Sequence, residues 1–164
     1  MAPVRFRRPA RDAPRIIQLG FRASLDPEWL ALGHTFFCVR ILAQVRLPSR
    51  FGGAVTYEAI LDTGSTVSVI PRFIWEQVRA VSTGRHSTMG GGLTGREAAG
   101  ELGFVSVRIT DSVAVSPPLT LRALLLQDDS VPLVLGFGDL LTQARLHCDF
   151  PGSSAYLEFL PQTP

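Results

Sequence analysis

Asp62, Thr63 and Gly64 stand inside "EAILDTGSTVSVIP", residues 58 to 71, and form the one short run of this chain best suited to catalysis. A carboxylate flanked by Ala59, Ile60, Leu61, Val67, Val69 and Ile70 is costly to bury unless its charge is shared, hydrogen-bonded or used. Used, it is a general acid or base. Thr63, Gly64 and Ser65 are small and polar, and suit a tight loop that holds the carboxylate with backbone and hydroxyl donors. Taken alone the tripeptide also reads as a plain turn, since Asp caps and Gly supplies positive φ.

Other chemistries find little support. His34, His86 and His147 have no ligand spacing, no Ser sits in a nucleophile elbow, and a metal site is not expected. Cys38 and Cys148 lie in no metal-like pattern and are expected as buried free thiols within strands. Gly90, Gly92 and Gly95 satisfy G-x-G-x-x-G, but that motif must open a helix, whereas "LGFVSVRI" downstream reads as a strand. No cofactor is expected. Asp139 in "GFGDLLTQ" is placed as a helix cap and Asp149 as a strand-end turn residue.

The scaffold around Asp62 can be read from apolar alternation and turn residues. Residues 1–33, rich in Arg and Pro, are expected to form a poorly ordered extension, with one helical turn at "DPEWLAL", and residues 34–164 form the domain. "TFFCVRILAQVRL" and "AVTYEAILD" are strands joined by a hairpin turn at "PSRFGG". A strand "STVSVI" leads into a short helix opened by Pro71. Residues 84–110 read as a long hairpin with "GGGLTG" near its tip. "LTLRALLLQ", a buried strand ending at Gly136, a helix over 139–144 and two final strands complete an all-β, mainly antiparallel chain with two short helices. A closed or orthogonally packed barrel is expected.

This order of pieces resembles the retropepsin-like aspartic proteases, the single-lobe family of retroviral and bacterial acid proteases. The matching segments are "ILDTGSTVSVIP" as catalytic loop, "MGGGLTG" as glycine-rich flap, "LVLGFGDLLTQARLHCDF" as the apolar-apolar-Gly strand with its helix, and "SSAYLEF" as closing strand. The resemblance implies a retropepsin-like acid-protease barrel with one lobe per chain, and an aspartic endopeptidase. Two carboxylates sharing a proton can deprotonate a water while protonating the amide oxygen. This chain has one Asp-Thr-Gly, so the second must come from a homodimer with Asp62 on its twofold axis. Thr63 is expected to bond across the dimer, the Gly64 N–H to steady the carboxylate, and the Ser65 hydroxyl to bond it and shift the pH optimum toward acid. Met89, Gly90, Gly91, Gly92 and Leu93 are the expected flap over a peptide or protein substrate, and Val67, Val69 and Leu133 its pocket candidates. The alternative reading is a catalytically weak or inactive peptide-binding or dimerisation module on the same fold.

Composition bounds these readings. At 164 residues with 46% apolar content the chain can bury a real core. Its net charge of +2 hides a concentration of arginines in the first two dozen residues, over a body near neutrality. That arm lacks aromatic interleaving, so no nucleic-acid partner is expected. No apolar run reaches the length of a membrane span, and no signal-peptide middle is present, so a cytoplasmic location is expected.

Overall fold

The computed structural model describes residues 14–89 and 98–160. The chain is mostly strand: β1 (Arg15–Leu25), β2 (Phe37–Pro48), β3 (Ala54–Asp62), β4 (Ser68–Ile70), β5 (Ala80–Met89), β6 (Ala98–Thr110), β7 (Leu119–Leu126), β8 (Val134–Gly136), β9 (Arg145–Asp149) and β10 (Ser154–Phe159). Among the described residues three short helices interrupt them: α1 (Pro27–Ala31), α2 (Arg72–Trp75) and α3 (Phe137–Leu140). Two were expected as helices, although α3 begins two residues before the expected 139–144 and ends at Leu140, and the third is the turn expected at "DPEWLAL". Asp26 caps it by accepting the N–H groups of Glu28 and Trp29.

The strands form one sheet in the order β5-β6-β7-β4-β8-β3-β2-β1-β10-β9. An additional β6–β2 pairing closes the six strands from β6 to β2 into a ring. Most pairings are antiparallel, but β3–β8 and β4–β7 are parallel. β8 therefore lies between β3 and β4, so the chain leaving β3 must pass around the end of β8 before it returns as β4.

Sequence pattern accounts for most of this. The hairpin of β2 and β3 turns where Gly52 and Gly53 take positive φ, which side chains disfavour. In β7 Leu119 and Leu121 alternate with exposed neighbours, and then every residue from Ala123 to Leu126 is buried. Two clusters require this: Leu121 and Leu125 face the main core with Ile70, Ile74, Ile109 and Leu135, while Leu124 and Leu126 face a smaller one with Val69 and Val134. Helix α2 has no side-chain cap of its own, and Asp129 from the β7–β8 loop accepts the Phe73 N–H at 2.7 Å instead.

Two expectations need correction here. Residues 15–25, assigned to a poorly ordered extension, form β1, paired with β10 through its first half and with β2 through its second. Ile17 on it is fully buried in the core, and Leu19 and Phe21 pack alongside. Neighbouring strand edges order this segment despite its arginines. Residues 1–13 lie outside the described residues. Cys38 and Cys148 are unbridged as expected and lie in β2 and β9, but Cys38 is half-buried and Cys148 exposed, because both strand ends project from the core.

Candidate active site

Asp62 is the last residue of β3, opposite Gly136 of β8 in parallel register. The apolar run before it is the buried part of β3, and the carboxylate itself is half-buried where the strand leaves the core. Its Oδ1 accepts the Gly64 N–H at 2.8 Å, so the Asp-Thr-Gly turn holds its own acid. A Cβ at Gly64 would come within 3.2 Å of that oxygen. Thr63 is exposed beside the carboxylate.

Glycine at 136 has a direct packing reason. A Cβ there would lie 2.4 Å from the carbonyl carbon and oxygen of Val67 and 2.9 Å from the Ser65 carbonyl oxygen. Gly138 meets the same crowding, with the Thr66 carbonyl oxygen at 2.4 Å. Residues 62–67 thus lie flat against the end of β8 and the start of α3. Hydrogen bonds fasten the contact: Phe137 N–H donates to the Ser65 carbonyl at 2.8 Å, and Gly136 N–H to the Oγ of buried Ser68 at 3.2 Å.

Several expected roles fall elsewhere. The Ser65 hydroxyl does not reach the carboxylate; it donates to the Val67 carbonyl at 2.7 Å and closes the loop on itself. Asp139 does not cap α3, whose N-cap is Gly136 without a side-chain bond. Its carboxylate instead accepts the Arg122 backbone N–H at 2.7 Å and the Arg122 Nε at 3.0 Å, pinning α3 to β7. That bond and the carboxylate's charge raise the Arg122 pKa above its ordinary value. No local pattern links Arg122 to an acid on a different element, so sequence reasoning missed the pair. Val69 and Leu133 are buried in the two core clusters rather than facing a pocket.

Val67 does line a groove. About 250 Å³ of space lies between the loop after Asp62 and the β5–β6 hairpin, bounded by apolar Val67, Leu102 and Phe104 and by Arg85 and Arg122. A larger cavity of about 410 Å³ lies among Pro117, Leu119, Leu141 and Phe159, with no residue of the Asp62 loop on its wall. We take the smaller one as the site's groove because it touches the loop that carries the acid. The hairpin itself forms as expected, β5 against β6, with a register shift between Ser82 and His86 where Gly84 takes positive φ. Met89 ends β5; Gly90, Gly91, Gly92 and Leu93 lie outside the described residues. Ala98–Thr110 is strand, as expected for "LGFVSVRI".

Among the described residues no group of three or more His, Cys, Asp or Glu is placed to hold a metal ion, and no helix is long and apolar enough to cross a membrane. No protein-family model matches this chain, and no curated protein does either.

Proposed function

We propose that the protein is an aspartic endopeptidase of the retropepsin-like kind, working as a homodimer in which Asp62 of each subunit meets on the twofold axis. The observation that carries the reading is the seat of Asp62. It ends a buried strand in an Asp-Thr-Gly turn, that turn is wrapped around the glycine end of a parallel neighbour, and one of its oxygens has no donor among the described residues. Such a carboxylate is positioned but not used up.

Two carboxylates pressed together cannot both ionise easily, so the pair holds one proton. The ionised Asp62 takes a proton from the water between them while the protonated one gives its proton to the amide oxygen. The water oxygen bonds to the carbonyl carbon, and the resulting diol collapses with the proton passing to the leaving nitrogen. Thr63, exposed beside the acid, is available to bond across the dimer, and the Gly64 N–H orients the carboxylate. An extended peptide or protein segment lies under the β5–β6 hairpins, with a side chain in the groove at Val67, Leu102 and Phe104. The unbridged Cys38 and Cys148 suit a reducing compartment, and on that ground we place the enzyme in the cytoplasm.

The test is incubation with a denatured protein at several pH values, with and without a pepstatin-type inhibitor. Inhibitor-sensitive cleavage is expected. Its absence at every pH, from protein shown to be dimeric, would leave the binding-module reading instead.

A further inference from the structure

The segment joining β1 to β2 is built unlike the rest of the molecule. Among the described residues the backbone of Arg22–Leu25 ladders only with Phe37–Arg40, and α1 between them buries none of its residues. Large apolar side chains stand in the open along it: Leu32 is 70% exposed, Phe37 65%, Phe36 55%, and Leu30 and Trp29 nearly half. The Trp29 ring stands edge-on to the rings of Phe36 and His34, at 5.3 and 5.9 Å. A two-stranded ribbon without a core is marginal in water, and a concentration of exposed apolar side chains on it marks a surface made to be covered.

Strand register says where this ribbon points. In the β2–β3 hairpin the pairing nearest the site is Ile41 with Leu61, which puts Arg40 level with Asp62. Phe37–Val39 therefore run on past the end of β3, about 10 Å of strand at 3.4 Å per residue, with α1 beyond them. The ribbon projects from the same end of the barrel that carries the Asp62 turn. In the homodimer proposed above, on which this inference rests, the second copy approaches from that end, because the two Asp62 side chains meet there.

We propose that residues 22–40 form a dimerisation arm whose exposed apolar side chains lie against the second copy of this chain. Each subunit gives one arm and receives one, as twofold symmetry requires. The arm thereby holds together the two halves of a site that neither chain completes alone. Arg22 anchors its base, paired with Glu58 of β3 at 3.0 Å.

Two measurements on the full chain test this. The Leu32→Ser, Phe37→Thr double variant changes two largely exposed side chains, so thermal unfolding should show a retained fold. Sedimentation should show at least a tenfold weaker dimer, and cleavage lost on dilution should return at high protein concentration. For a readout that does not depend on a destabilising change, a photo-cross-linking phenylalanine analogue is placed at position 37 in a mixture of isotopically light and heavy protein. Products joining light to heavy chains are expected. Exclusively within-chain products, or a double variant that dimerises as tightly as the unaltered protein, would overturn the arm and leave the protease reading standing. Unaltered protein that stays monomeric at every concentration would overturn both.

Discussion

Two aspartates at strand ends, Asp62 closing β3 and Asp111 following β6, are half-buried alike and each sits in a tight turn, yet their oxygens are used differently. Asp111 accepts the Val113 and Ala114 N–H groups on Oδ1, at 2.7 and 2.6 Å, and the Gln18 N–H on Oδ2 at 2.8 Å. Both of its oxygens are occupied, and one of the bonds ties β1 to the body. Asp62 accepts a single N–H, from Gly64. A carboxylate filled by backbone donors holds the fold, whereas one fixed through a single oxygen keeps acceptor capacity, which the proposed reaction would use on a water. Burial alone would not have told them apart.

The contrast is tested most severely at Asp62→Asn. The amide keeps an oxygen for the Gly64 N–H and loses the ability to exchange protons. Cleavage of a denatured protein should fall by about 10²–10⁴-fold, the usual contribution of a positioned acid or base, with the unfolding midpoint unchanged. A drop in stability comparable to that of an Asp111 variant would put Asp62 in the structural class and end the distinction. Next in size is Gly136→Ala. Its methyl group has no space within 2.4 Å of the Val67 carbonyl, so the Asp62 loop or β8 must shift, at about 1–3 kcal/mol of stability measured by denaturant unfolding. Cleavage should fall with it, because the displaced loop carries the acid.

These two residues were also the ones most legible in the sequence, since an acid inside an apolar run and an apolar-apolar-Gly segment each break a local pattern. The strands were legible for the same reason: alternation in β2, β3, β6 and β10 is a property of neighbouring residues. β1 was not, because Ile17, Leu19 and Phe21 alternate only briefly among arginines, and their order comes from β10, at the far end of the chain, and from β2. Val69 and Leu133 show the limit from the other side. An apolar side chain near a catalytic loop looks the same in sequence whether it faces a pocket or the core, and both face the core. Asp139 was misread because its partner Arg122 lies on another element.

A smaller effect is expected at Asp111→Ala, which removes the acceptor of three backbone N–H groups that water can partly replace. The loss is about 1 kcal/mol. Hydrogen exchange should quicken at Gln18 and along β1, which an Asp62 change leaves untouched. The pH dependence gives an independent check. Partial burial pushes the Asp111 carboxyl up, but the N–H groups of Gln18, Ala114 and Val113 together outweigh it and hold its pKa below the ordinary value. A carboxyl depressed in the folded state contributes stability above its unfolded pKa of about 3.9 and loses it as pH falls through the folded value. The gap between unaltered protein and Asp111→Ala should therefore be full near neutrality and narrow below about pH 4. A gap that widens with acid would mean the charge is not what those donors hold.

The smallest expected effect is the most discriminating between the two aspartates. A serine directly after Asp-Thr-Gly is placed by type to bond the ionised carboxylate, which would make Asp62 resemble Asp111 and draw the working range toward acid. In the folded chain that hydroxyl donates to the Val67 carbonyl at 2.7 Å and is used up in shaping the loop. Ser65→Ala should accordingly cost no more than about 1 kcal/mol, the net worth of one hydrogen bond, and leave the acid limb of the cleavage profile in place. An acid limb that moves upward in the variant would show that the hydroxyl turns to the carboxylate in the dimer. Asp62 would then accept two donors rather than one, and the difference from Asp111 would be one of degree. With the limb unmoved, the second oxygen of Asp62 stays open on its own subunit, where the proposed homodimer would bring the other Asp62 and a water.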